Sequence, residues 1–299
     1  MGTLAPRAVL VTRETDWERL LAAHATREQA RFFLRSRGQD IDVVQARHEA
    51  FAESVRQVRL AIPDDWRVAR LGRDDLDRFL FGPEDIVIAV GQDGLVANLA
   101  KYVSGQPVLG VNPAPDLNEG VLVSLGAVDL PALLPAVAAG RVGIERRTMA
   151  RATLDDGQTL DALNEIFIGH ASHQSARYLI DYAGQSEPQS SSGLIVSTGT
   201  GATGWARSIM TTTGRGTAPA PTEVGLSFFV REPWPSVATG ASIAWGRTDA
   251  ATPLGVTSHM NDGGVIFADG IEQDRLLFGW GRRVTISPSP RALMLVRAG

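Results

Sequence analysis

The sequence predicts an α/β protein: an N-terminal doubly wound α/β domain over residues 1–128, a β-rich domain over 129–285, and a final stretch, 286–299, returning to the first domain. Three features point there. In the first part, continuous apolar runs alternate with amphipathic stretches, as parallel strands joined by helices do. After Gly140 the texture changes to short β-prone runs, evenly spaced and separated by Gly, Pro, Ser and Asn. At 299 residues the chain is long enough for two medium domains with a sizeable core.

Residues 7–13 (RAVLVTR) read as a buried strand, and Thr15 or Asp16 can cap the helical stretch that follows, with a break near Thr26. Residues 43–61 form a second amphipathic pattern ending at Pro63. A short strand is expected at 66–71, and 85–90 (DIVIAV) is a buried one that runs into Gly91-Gln92-Asp93-Gly94 and then a helix over 95–103. Residues 107–111 (PVLGV) make another buried strand, and 130–139 a short Ala- and Leu-rich helix. In the second part strands are expected at 147–154, 163–169, 178–182, 194–198, 225–230, 242–245, 255–258, 265–268 and 283–286, with a turn-rich loop at 211–221. Residues 292–296 supply the returning strand.

Composition removes whole classes of function. A net charge of −4 without a Lys/Arg run gives none of the concentrated positive field that nucleic acids or anionic membranes require. No stretch approaches the ~18 apolar residues of a membrane span, and Met1–Val9 lacks a charged region followed by an apolar one, so no signal peptide is expected. With no cysteine there is no disulfide framework, thiol nucleophile or zinc knuckle. Lys101 is the sole lysine, which fits a GC-rich coding bias and rules out a P-loop, whose pattern needs a Lys after its glycine. A cytoplasmic protein is the expectation.

Four places carry candidate chemistry. Gly91–Gly94 follows a strand and opens a helix, where backbone N–H groups and the helix dipole suit a phosphate, and where glycines allow close approach and φ > 0. Gly and Asp are also ordinary turn formers. Residues 199–204 match G-x-G-x-x-G between a strand and a short helix, yet sit in the β-rich half, with Glu223 preceding rather than ending a strand, so a Rossmann dinucleotide site fits poorly. Asn164-Glu165 interrupts an apolar run, where polar groups need partners; ribose hydroxyls or backbone would serve. His170 and His173 have the spacing of a metal pair but no third ligand, and read as a solvated loop.

Taken in order, these segments resemble the NAD kinase family. That family's pattern has a G-G-D-G turn, a P-V-L-G-V-N strand, an A-L-N-[ED] strand, a D-G-L-I-V-S-T-P-T-G-S-T-A-Y loop and a late acidic D-G. The chain has residues 91–94 (GQDG), 107–112 (PVLGVN), 162–165 (ALNE), 192–205 (SGLIVSTGTGATGW) and Asp269-Gly270, so the match covers roughly residues 85–285. Residues 110–122 (GVNPAPDLNEGVL), 163–169 (LNEIFIG), Thr198-Gly199-Thr200-Gly201 and Arg231-Glu232-Pro233 are similar to the mitochondrial-type members and their bacterial relatives.

The resemblance implies transfer of the ATP γ-phosphoryl to the 2′-hydroxyl of the adenosine ribose of NAD, giving NADP, with Mg²⁺ neutralising the triphosphate. It implies that Asp93 contacts that hydroxyl. A carboxylate is a poor equilibrium base for an alcohol, but a loose phosphoryl-transfer transition state depends mainly on orientation and charge stabilisation. By the same resemblance Asn164 and Glu165 hold ribose hydroxyls, and Ser192, Thr203, Gly204, Trp205 and Ser208 belong to the NAD side. Gly91, Gln92, Gly94, Thr198, Gly199, Thr200 and Gly201 fall to the phosphates of ATP. A homodimer or larger homo-oligomer is implied as well. Two departures stand out: Gln92 replaces the second Gly, and Leu95 replaces the Thr or Asn after G-D-G. Gln92 would strain the turn if φ > 0 were needed there, or occupy phosphate space. These departures leave open a kinase for another nucleoside or polyol hydroxyl, and an NAD(P)-binding regulator without turnover.

Overall fold

The computed structural model describes residues 5–116 and 119–297, so Leu117 and Asn118 of the 110–122 segment, and residues 1–4 and 298–299, lie outside the description. Two compact units result: one holds the chain up to Glu145 together with Met294 onward, the other Arg146–Leu293.

In the first unit, β1 (Arg7–Thr12) leads into α1 (Asp16–His24), α2 (Arg27–Arg35) and α3 (Ile41–Ala61). Each helix is started by a side chain that accepts an orphan backbone N–H: Thr15 from Glu18, Thr26 from Gln29, Asp40 from Asp42. Thr15 and Glu18 form a reciprocal capping box. β2 (Arg67–Gly72), β3 (Asp85–Val90), α4 (Asp93–Ala100), β4 (Pro107–Val111) and α5 (Leu130–Ala138) follow. The strands pair parallel in the order β2-β1-β3-β4. All six residues of β3 are buried, as its unbroken apolar run predicts for a parallel strand covered on both faces. Asp85, fully buried at its start, is held by a two-pronged ion pair from Arg7 at 2.7 and 2.6 Å. The expected division at 128/129 falls instead after Glu145, because α5 sends Leu130, Leu134 and Val137 into the same core as Leu10, Ile88 and Leu109.

The second unit contains β5 (Ile144–Leu154, from Arg146), β6 (Thr159–Ala162), β7 (Glu165–His170), β8 (Ala176–Tyr182), β9 (Gln185–Ser191), β10 (Leu194–Ser197), α6 (Trp205–Thr213), β11 (Leu226–Val230), β12 (Trp245–Thr248), β13 (Leu254–Ser258), β14 (Gly264–Ala268), β15 (Ile271–Leu277) and most of β16 (Arg283–Val296). One antiparallel sheet runs β12-β11-β10-β7-β14-β15. Another runs β16-β13-β8-β9, with β5 pairing both β16 and β6. Side chains such as Ile166, Val196, Phe228, Tyr178, Val256 and Ile286 form a common core. β16 leaves this unit to place Met294 and Leu295 parallel to β4, the expected return.

Several element bounds differ from the expectation, each for a visible reason. The run 163–169 is cut at Leu163-Asn164, whose N–H groups turn to a side chain, Asp269, instead of a strand. The strand expected at 242–245 begins at Trp245, since the Ser242 and Ile243 N–H groups are taken by Glu187. α6 extends to Thr213 before Gly214, at φ +64, closes it, so the 211–221 loop starts later. β9 is a polar strand, β15 has apolar residues only at its two ends, and the Ala183-Gly184 turn, both residues at positive φ, forms the hairpin that pairs β9 with β8. Among the described residues no helix is long and apolar enough to cross a membrane.

Candidate functional site

The sequence-predicted residues fall into two groups, one in each unit. In the first, β3 delivers the chain to Gly91, whose N–H donates to Val111 O at 3.1 Å. Gln92 is the N-cap of α4 with φ −111 and ψ 167, an extended conformation open to any residue, and its side chain makes no cap bond. Neither Gly91 nor Gly94 has positive φ. The expectation that this turn uses glycine for φ > 0 is therefore corrected, and Gln92 introduces no backbone strain. Leu95 is buried; a Cβ on Gly91 would sit 3.1 Å from its Cδ2, so the position of the missing hydroxyl is filled by core.

Asp93 opens α4 and is half-buried. Its Oδ1 accepts the N–H groups of Leu122 (2.8 Å) and Val123 (3.1 Å), and its Oδ2 that of Val121 (2.9 Å). This arrangement follows from two glycines. A Cβ on Gly110 of β4 would lie 2.0 Å from Leu122 O, so only glycine lets the 122–123 backbone lie against the strand. Gly120 turns the chain there at φ +64. A carboxylate offers about four lone-pair sites, so three N–H bonds fix Asp93 in orientation while leaving Oδ2 acceptor capacity.

Beside this turn lies a cavity of about 250 Å³ walled by Arg13, Thr15, Arg47, His48, Gly91 and Gln92, with Val44, Phe51 and Pro113 among its apolar parts. None of the residues at α1 and on α3 is expected as a site residue from sequence, although Thr15 and Asp16 are cap candidates. The signal was present as 44, 47, 48 and 51, one helical face by spacing, but it reads equally as an exposed surface.

In the second unit, Asn164 and Glu165 precede and start β7. The Asp269 carboxylate, in a β14–β15 turn at φ +54, accepts the N–H groups of Leu163 (3.1 Å), Asn164 (2.7 Å) and Glu165 (3.3 Å). The half-buried Glu165 carboxyl is pushed up to about 7, first by burial and then by the negative charge of Asp269. Thr198, fully buried, donates its hydroxyl to Leu163 O and its N–H to Asn164 O at 2.9 Å. The structure thus brings Asn164, Glu165, Thr198, Thr200, Gly201 and Asp269 together.

The glycines of that loop serve the backbone. A Cβ on Gly201 would meet Asn164 O at 2.2 Å, and one on Gly199 would meet Ala220 O at 2.3 Å. The N–H groups of Thr200 and Gly201 both donate to the Thr198 hydroxyl. Those two N–H groups are therefore satisfied within the loop. Buried Arg147, unforeseen from sequence, donates to the Thr200 hydroxyl at 3.2 Å.

Trp205 starts α6 with its ring parallel to Phe167 (centroids 5.9 Å apart, 4° between planes) and the Arg231 guanidinium 4.9 Å from its centre. Exposed Ser192 is joined to the same arginine, its N–H donating to Arg231 O at 2.9 Å. Thr203, Gly204 and Ser208 are exposed at the start of α6. His170 bonds Ser172 through Nδ1, and among the described residues no group of three or more potential metal ligands occurs.

The fold of the whole chain is similar to that of two solved kinases. The chain superposes on an NAD kinase from Archaeoglobus fulgidus in complex with ATP with a TM-score of 0.59, at 18% identity over 97% of this chain and 93% of that one. Against yeast NADH kinase complexed with NADH the TM-score is 0.58, at 15% identity over 99% and 84%. In sequence it is 32% identical over 133 residues to an NAD kinase of Methylococcus capsulatus and 27% over 130 residues to one of Chlorobaculum tepidum. Each match covers 42% of this chain and 44% of the relative, so the chain spans less than half the length of the curated relatives it matches. No family model matches. The resemblance to the NAD kinase family accordingly stands on the fold of the whole chain and on about two fifths of its sequence.

Proposed function

We propose that the protein is an NAD kinase, forming NADP by transfer of the ATP γ-phosphoryl to the 2′-hydroxyl of the adenosine ribose of NAD. The observation that carries this reading is Asp93: the single carboxylate of the turn, fixed by three N–H bonds at the start of α4, with acceptor capacity left on Oδ2. In the reaction the hydroxyl oxygen bonds to the γ-phosphorus, the bond to the bridging oxygen breaks, and ADP leaves with that electron pair. Asp93 would align the hydroxyl and take its proton late, as a loose transition state permits. Asn164 and Glu165 would bind ribose hydroxyls; a Glu165 carboxyl near neutrality can donate as well as accept. Trp205, Ser192, Thr203, Gly204 and Ser208 would form the adenosine side.

Mg²⁺ would arrive as the Mg–ATP substrate, since Mg²⁺ commonly keeps waters and phosphate oxygens as ligands and needs few from protein. The phosphates themselves would be met by Gly91, Gln92 and Gly94, with the 198–201 loop supporting Asn164. Similarity of 110–122 and 163–169 to the mitochondrial-type members supports placing the chain near them, acting in the cytoplasm of a bacterium as a homo-oligomer. The unstrained Gln92 supports turnover over a regulator that only binds NAD(P). An NADP-forming assay with NAD, ATP and Mg²⁺, beside Asp93→Asn, tests the proposal: Asp93-dependent NADP is expected, and NAD binding without NADP formation would overturn it.

A further inference from the structure

We infer that Arg147 is a positioning residue of the dinucleotide site: by holding the Thr200 hydroxyl it fixes the loop on which Asn164 and Trp205 both depend, and so sets the affinity for NAD. The inference rests on the reading of Asn164, Glu165 and Trp205 as the acceptor side, and adds a residue that acts through another. Among the described residues the buried charged side chains are Asp85, Asp161 and Arg147. Asp85 and Asp161 are each bound by both prongs of an arginine, Arg7 and Arg151, which accounts for their burial. Arg147, only 2% exposed, sends its Nη1 to the hydroxyl of Thr200 at 3.2 Å. Taking a guanidinium out of water is costly, and an apolar side chain of like volume commonly serves stability as well. What the arginine adds at this place is a fixed direction for one hydroxyl.

Thr200 is the pivot of the loop. It opens the 201–203 turn with φ −68 and ψ −46, and its hydroxyl caps no N–H of that turn, the usual duty of a threonine there. That hydroxyl accepts from Arg147 instead. On one side the Thr200 N–H reaches the Thr198 hydroxyl at 3.1 Å, and Thr198 in turn bonds Leu163 O and Asn164 O. On the other side the Thr200 carbonyl receives the Thr203 hydroxyl at 3.3 Å, within the turn that leads into Trp205. Gly201, the next residue, lies against the Asn164 main chain with no room for a Cβ. β5 also secures the loop's other neighbour: the Thr148 N–H donates to Pro221 O at 3.0 Å, and the 219–220 main chain packs on Gly199. A rotation at Thr200 is thus passed both to the strand that carries Asn164 and to the helix that begins at Trp205.

A double-mutant cycle on the full protein tests this. Arg147→Met keeps an unbranched stem without the charge, Thr200→Val keeps the shape of threonine without the hydroxyl, and the two are combined. Melting curves establish folding, NAD is titrated in a calorimeter, and KM and kcat are measured for NAD and ATP. Loss of one charged hydrogen bond predicts NAD affinity weakened about tenfold in each single variant. Because both remove the same contact, the double variant should also be weakened about tenfold, against about a hundredfold for independent sites. KM for NAD should rise by that factor with kcat and KM for ATP unchanged, a split that mere loss of folded protein does not produce. Arg147→Lys, which retains a charged donor, should recover part of the affinity. Unchanged NAD affinity in folded Arg147→Met overturns the inference, and so do additive losses in the cycle. If Arg147→Met does not fold, Thr200→Val decides alone, with full affinity there the refuting result. NAD binding that weakens as expected, with no NADP formed by the wild type, retains the positioning role and refutes the kinase reading. Asp93-dependent NADP formation with an unaltered KM for NAD in Arg147→Met does the reverse. A wild type that binds no NAD refutes both.

Discussion

The carboxyl of Glu165 makes stability depend on pH, and Glu165→Gln should remove that dependence. Held near 7 in the folded protein against an ordinary 4.5, the group binds its proton more tightly folded than unfolded. Its stabilising contribution is therefore complete below about pH 4.5 and is lost as pH rises through about 7. The difference of about 2.5 units, at about 1.4 kcal/mol each, sets a ceiling of about 3.5 kcal/mol on what ionisation costs, lowered by the partial exposure of the side chain. Glutamine keeps the shape and stays neutral. Wild type and variant should melt within a degree or two at pH 5, while at pH 8 the variant should be the more stable. For a unit of this size about 2–4 °C accompanies each kcal/mol, so a gap of several degrees is expected. Calorimetric scans at half-unit steps from pH 4.5 to 8.5 would follow it. Parallel curves for the two proteins across that range would refute the argument that burial and Asp269 hold Glu165 protonated. NAD affinity should show the same inflection in the wild type only.

Asp93→Asn should abolish NADP formation while leaving NAD bound. Because its NH₂ must face at least one of the three N–H groups, it should also destabilise the protein by about 1.5–3 kcal/mol, read by denaturant titration. Gly201→Ala puts a Cβ 2.2 Å from Asn164 O, and should cost roughly 1–3 kcal/mol and weaken NAD binding, measured by melting and calorimetry. Gln92→Gly relieves no strain, since Gln92 already lies at φ −111, and should leave stability within about 0.5 kcal/mol in the same titration.

Much of the fold was legible because its rules are local. Residues 85–90 and 107–111 announce buried parallel strands by apolarity alone, and Thr15, Thr26 and Pro63 mark helix limits by the N–H groups they accept or lack. β9 and β15 were not legible, because their strand pairing rests on hydrogen bonds that polar side chains neither require nor forbid. The candidate site divides along the same line. Asp93, Asn164 and Glu165 stand out as polar residues beside apolar runs, but what holds them is backbone from distant segments. Asp93 gathers the N–H groups of 121–123 and Asp269 those of 163–165, each three in succession. One carboxylate gathering three consecutive amides is thus used in both units, and its amide half has no side-chain signature. Glycine is ambiguous for the same reason. At 199 and 201 it looks like a phosphate loop, and at 110 like a filler in a strand, because the absence of a Cβ serves a ligand and a neighbouring backbone equally well. Only the partner distinguishes them: Leu122 O at 110, Ala220 O at 199, Asn164 O at 201. The residues that chemistry needs could be read singly, whereas the precision with which they are held lies in contacts between main chains that sequence does not encode one residue at a time.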